Sequence, residues 1–119
     1  MTTLDRNEIW AQAFELGQLI LESPEVLTYK EAERKMQENA DINSKTTKFR
    51  EMQWQYDRLA EHGTGPHLNG LRQDIEALAK DLDSYPEVQA YKAAMKRVDE
   101  LLKSVTDLIA ATITEKAAE

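Results

Sequence analysis

A chain of 119 residues, 41% hydrophobic and 31% charged, holds enough apolar material for one core and lacks the bias of a disordered chain. Its net charge of −7 opposes sequence-independent binding to phosphate backbones, and the absence of cysteine excludes disulfides, thiolate metal sites and a cysteine nucleophile. Apolar runs of only a few residues give no transmembrane span, and MTTLDRNEIW lacks the basic region and apolar run of a signal peptide, so a cytoplasmic protein without membrane insertion is expected.

Three prolines and four glycines in such a length imply long helices. The first is expected over about Asp5–Glu22. Asp5 and Glu8 are spaced as a capping box, and Leu4 and Ile9 as a hydrophobic staple. Ile9, Ala13, Leu16 and Ile20 make an apolar stripe, with Trp10, Phe14 and Leu21 beside it. Trp10 is expected in the core or at a subunit interface. Glu8, Glu15 and Glu22 recur every seven residues, as on a solvated face.

The second helix is expected over about Pro24–Glu38, and its start is nearly repeated later: SPEVLTYKEA from Ser23 returns as YPEVQAYKAA from Tyr85. Proline suits the first turn of a helix, where its missing N–H is no loss. Ser23 is placed to accept from the free N–H groups after it, and Ser84 with Glu87 has the S-x-x-E spacing of a capping box. Val26, Tyr29 and Ala32 give one buried face, and Val88, Tyr91 and Ala94 give it again. A duplicated binding motif would also repeat residues, but two equivalent helix junctions account for this pattern with local physics alone.

NADINS offers several capping residues and marks a break. A third helix over about Asp41–Glu61 puts Ile42, Phe49, Met52, Tyr56 and Leu59 on one face. HGTGPH is a loop, because Gly63, Gly65 and Pro66 together stop a helix. Leu68, Leu71, Ile75, Leu78, Leu82 and Tyr85 then follow in alternating spacings of three and four, so the third and fourth helices form an antiparallel hairpin. A fifth helix, uninterrupted by glycine or proline from Glu87 to Glu119, extends the stripe through Val88, Tyr91, Met95, Val98, Leu102, Val105, Ile109 and Thr112, widened by Ile113. The expected architecture is all-α: a single domain over residues 1–119, an elongated bundle of about five helices with a central hairpin and a long C-terminal helix. That helix is longer than a compact monomer covers. A homodimer is therefore expected, with Leu102, Val105, Ile109 and Ile113 as contact residues.

Little here points to catalysis. His62 and His67 flank the loop with Glu61 the only adjacent carboxylate, a set that reads as exposed loop histidines and not as a zinc or nickel site. No serine lies in a nucleophile elbow, and HGTGPHLNG lacks the ending of a phosphate-binding loop. No catalytic residue, cofactor or metal is expected. Trp54 stands apart: it lies off the apolar stripe of its helix, among Arg50, Glu51, Asp57, Arg58 and Glu61. Either it anchors a partner, as interface tryptophans do, or it packs against another helix of the same chain.

LGQLILESPEVLTYKEAERKM (Leu16–Met36), a helical hairpin, and YPEVQAYKAAMKRVDELLKSVTDLIAATI (Tyr85–Ile113) together resemble the YlbF/YmcA family of Firmicute regulatory proteins, the YmcA-like branch more closely. The resemblance covers nearly the whole chain and rests on helix junctions and apolar spacing. It implies a cytoplasmic, all-helical protein without catalytic residues that joins other family members and acts on the endoribonuclease RNase Y. Through mRNA processing and related routes it would influence competence, biofilm formation and sporulation. Some members bind iron–sulfur clusters through cysteines; this sequence has none, so no such site is carried over. The leading expectation is a regulatory adaptor working by protein–protein contact. The alternative is a self-assembling structural helical protein without a regulatory partner. Direct nucleic-acid binding is not expected, given the acidic charge and the lack of aromatic–basic interleaving.

Overall fold

The computed structural model describes residues 6–63 and 65–117, and over them the chain is helical except at four short junctions. The helices are α1 (Arg6–Leu21), α2 (Pro24–Glu38), α3 (Ala40–Glu61), α4 (Pro66–Asp83) and α5 (Pro86–Ala117). The described residues contain no strand. The expected Asp5 cap and Leu4 staple, and the last two residues of the expected fifth helix, lie outside the described residues.

Each junction has a local cause. Between α1 and α2, Ser23 serves both helices: its hydroxyl donates to the Ile20 carbonyl at 2.6 Å and accepts from the Val26 N–H at 3.3 Å. Pro24 is the first residue of α2, as its fixed φ and missing donor favour. Between α2 and α3 a single residue suffices. Asn39 is extended, and its side chain accepts from the Ile42 N–H at 3.1 Å. The loop after α3 turns at Gly63, whose φ of +123° is a conformation a side chain would strain, and Pro66 opens α4.

The fourth junction corrects one expectation. Pro86 does begin α5, but Ser84 and Glu87 form no capping box. The Ser84 hydroxyl donates backwards to the Asp81 carbonyl at 2.6 Å, closing α4. Glu87 Oε2 is buried and has no hydrogen-bond partner among the described residues. The reason is register: Tyr85, not Ser84, precedes the proline, and its carbonyl accepts from Val88 and Gln89. The free end of α4 is held instead from α5, where Gln89 donates to the Asp83 carbonyl at 3.0 Å and Lys92 pairs with the Asp83 carboxylate. Tyr85 therefore lies in the junction, not in α4.

The repeated stretches supply most of the buried side chains. Val26 and Ala32 of the first copy and Val88 and Ala94 of the second are all buried; Ile42, 1% exposed, is the fifth. Tyr29 and Tyr91 are half-buried in both copies.

The chain divides into two compact units, one made of Met1–Glu31 with Ala94–Glu119, the other of Ala32–Ala93. The second contains the α3–α4 hairpin. Leu68, Leu71, Ile75, Leu78 and Leu82 are all half-buried along α4, as the three–four spacing requires, and so are Phe49, Met52 and Tyr56 on α3. In the first unit α1 has no buried residue among those described. Only Leu16, Gly17 and Ile20 of α1 reach half-burial.

Candidate functional site

Within the hairpin unit, Lys45 near the start of α3 reaches the far end of α4. Its ammonium lies 2.5 Å from an Asp81 carboxylate oxygen and donates to the Tyr85 hydroxyl at 2.8 Å. The same nitrogen is 4.9 Å from the Tyr85 ring centroid. The Asp81 hydrogen bond, then that of Tyr85, holds Lys45 well above the ordinary lysine range. This group fixes the open end of the hairpin. The group is a clasp between the start of α3 and the end of α4.

At the loop end of α3 lies a different surface. Trp54 is 59% exposed. The Arg58 guanidinium sits over its ring, 4.8 Å from the centroid, as the one-turn spacing of the two residues allows. Trp54, Gln55, Arg58, Leu59 and His62 line an open cleft of about 270 Å³. Leu59, expected on the buried face of α3, is exposed and belongs to this cleft. It sits past the last half-buried residue of that stripe, Tyr56, where the helix runs out towards the loop.

The first unit presents apolar surface of another kind. Trp10, expected in a core or at a subunit interface, is in no core of this chain: it is 62% exposed, and Phe14 68%. Trp10, Phe14, Gly17 and Leu21 recur with spacings of four, three and four, so they form a stripe of their own beside the half-buried Leu16 and Ile20. A side chain at Gly17 would meet nothing within 4 Å. A mid-helix glycine is unfavourable by about 0.5–1 kcal/mol relative to alanine, and no intrachain contact requires one here.

On α5 the exposure grows along one heptad position. Val88 is buried, Met95, Leu102 and Ile109 are 39, 44 and 48% exposed, and Ile113 beside them is 62% exposed. Val105 is half-buried. Leu108, also exposed, broadens the open face. Together these exposed residues leave one side of the C-terminal half of α5 apolar and open.

His62 and His67 are exposed at the two sides of the loop. No group of three or more His, Asp or Glu side chains is arranged to hold a metal among the described residues, and no described helix is long and apolar enough to cross a membrane. Of the residues singled out from sequence, Trp54 and the α5 set thus fall on separate surfaces in separate units. Arg58 and His62 follow Trp54 at spacings of four, a signal present in the sequence. Lys45 carried none, because its partners stand about forty positions away.

A model of the family described as control of competence regulator ComK, YlbF/YmcA, matches residues 9–114. Over 116 residues the chain is 27% identical to the uncharacterized protein YmcA of Bacillus subtilis (strain 168), an alignment spanning 98% of this chain and 81% of that one. A chain in the X-ray crystal structure of Bacillus subtilis RicA in complex with RicF superposes with a TM-score of 0.85, covering 95% of this chain and 99% of that chain at 19% identity. The last comparison establishes a shared fold.

Proposed function

The chain belongs to the YlbF/YmcA family, and from that premise we propose that it is a non-catalytic regulatory adaptor that works by protein–protein contact. The observation that carries this reading is the apolar surface left open on α1 and on the C-terminal half of α5, where Trp10, Phe14, Leu102, Ile109 and Ile113 are all exposed. Burying such side chains stabilises an assembly by about 1.5–3 kcal/mol each when burial is complete. In this proposal the face of Leu102, Val105, Ile109 and Ile113 joins a second copy as a homodimer, or another family member. The RicA–RicF complex supports the second arrangement by analogy of fold. The downstream role we propose, on the family resemblance, is modulation of RNase Y-dependent mRNA processing in the cytoplasm, and through it of competence, biofilm formation and sporulation.

The test has two parts. Light scattering at micromolar concentration should give the mass of a dimer, and Ile109→Lys should shift it to a monomer that keeps much of its helical circular dichroism, because an unpaired charge is strongly disfavoured in an apolar contact. A monomeric wild type refutes self-association. Affinity capture from the native cell should recover family members or RNase Y. Recovery of the protein alone would favour the structural, self-assembling alternative.

A further inference from the structure

Trp54 lies on neither of the apolar faces just described, so its exposure needs a separate account. Its cleft combines three features. The floor is apolar, made by the Trp54 ring and Leu59. Arg58 lies over the ring, and its guanidinium has no hydrogen bond or ion pair among the described residues. The polar tips of Gln55 and His62 complete the lining. An arginine stacked on an indole is held in place by its flat face while its N–H fork points outwards, and that fork matches a carboxylate bidentately. By helical register Glu51 falls one turn before Trp54 on the Arg58 side and Asp57 and Glu61 fall on the other side of Trp54, while Lys48 faces a separate groove towards α4 with Asp74 and Asp81. Asp57 accepts from Gln53 at 3.5 Å.

We propose that this cleft docks a short segment of a partner protein in which a bulky apolar side chain stands next to an Asp or Glu. The apolar side chain lies against Trp54 and Leu59, and the carboxylate meets the Arg58 fork. Charge complementarity selects this occupant: the chain carries −7 overall, yet here an arginine with no hydrogen-bond partner among the described residues lies on an exposed tryptophan. The cleft is too open to bury most of a small molecule. A nucleic-acid strand would also stack on the ring, but its repeated phosphates would meet the field of the whole acidic chain, while a single carboxylate in contact with Arg58 is governed by the nearest charge. The inference rests on the adaptor reading and adds a site with its own chemistry.

A displayed library of random twelve-residue peptides, selected on the full chain, tests it. The selected sequences should place Phe, Trp or Leu beside Asp or Glu. In fluorescence anisotropy with labelled synthetic peptides, replacing the acid by its amide should weaken binding about tenfold, and Trp54→Ala should weaken it at least as much, as for an interface anchor. Arg58→Lys, which keeps the charge and loses the fork, should lose most of the preference for the acid. Trp54→Phe, which keeps an apolar ring, should retain part of the binding and guards against loss of fold in the alanine variant. Selected peptides that ignore Trp54, equal affinity for acid and amide forms, or Trp54-dependent binding of a twelve-nucleotide single-stranded RNA without peptide binding would each overturn the proposal. Ile109→Lys should leave peptide binding intact. Failure of the cleft and failure of the assembly face are therefore read separately.

Discussion

Two side chains of α3 illustrate how environment decides role. Trp54 has 59% of its surface in water, so its removal takes little from the fold. Trp54→Ala should lower unfolding stability by less than about 1 kcal/mol in a urea titration; a loss of about 3–5 kcal/mol, as for a buried tryptophan, would place it in a core. Lys45 is the opposite case, a charge engaged by two partners across the open end of the hairpin. Its folded-state pKa is raised, so the folded chain holds this proton more tightly than the unfolded one. That stabilisation is complete below the unfolded lysine value of about 10.4 and is lost as pH rises beyond it. Wild type should therefore exceed Lys45→Met in stability by a steady margin between about pH 7 and 9, and by a shrinking margin above about pH 10.5. A margin that stays flat up to the most alkaline condition would show that the clasp acts by packing alone.

At the scale of the elements, the two copies of the repeated stretch are equivalent in outline and different in chemistry. Both begin a helix at proline and both bury a valine and an alanine. The first is capped by a hydroxyl that serves α1 and α2 together. The second has a tyrosine at that place, whose hydroxyl receives Lys45, and its helix ends are tied by Gln89 and Lys92. Ser23→Ala should accordingly cost about 0.5–2 kcal/mol in thermal or chemical unfolding, the range for losing an N-cap. Ser84→Ala should cost clearly less, because its hydroxyl only bonds back to a carbonyl of its own helix. Equal losses would mean that Ser84 caps α5 after all. The repeat is thus a device for turning the chain from one helix into the next, used twice.

For the molecule as a whole, the open faces of α1 and α5 bear on stability as well as on partners. If a second chain covers them, folding and association are linked by mass action. The melting temperature should then rise with protein concentration, and the rise should disappear in Ile109→Lys. A melting temperature independent of concentration in the wild type would mean that the exposed apolar residues stabilise nothing in the isolated protein and wait for a different partner. In either outcome the proposed docking at Trp54, which lies in the hairpin unit, is tested on its own.

The sequence by itself determined where the helices are and why they stop. Pro24, Asn39, Gly63, Pro66 and Pro86 act through their own backbone or a neighbour's N–H, and such causes lie within a few positions of their effects. The three–four spacing of α4 likewise foretold its half-buried side, and the junctions together with this spacing were enough to resemble a family that the family model then matched. Tertiary structure alone decided how deeply each apolar stripe is covered. Periodicity places Leu59 on the same stripe as Ile42 and Ile109 on the same stripe as Val88, yet the first of each pair is exposed and the second buried, because burial depends on whether another helix lies opposite, and that is set by residues far away in the chain. The Lys45 clasp has the same origin: Asp81 and Tyr85 are ordinary in sequence and become its partners only because the hairpin folds the end of α4 back onto the start of α3.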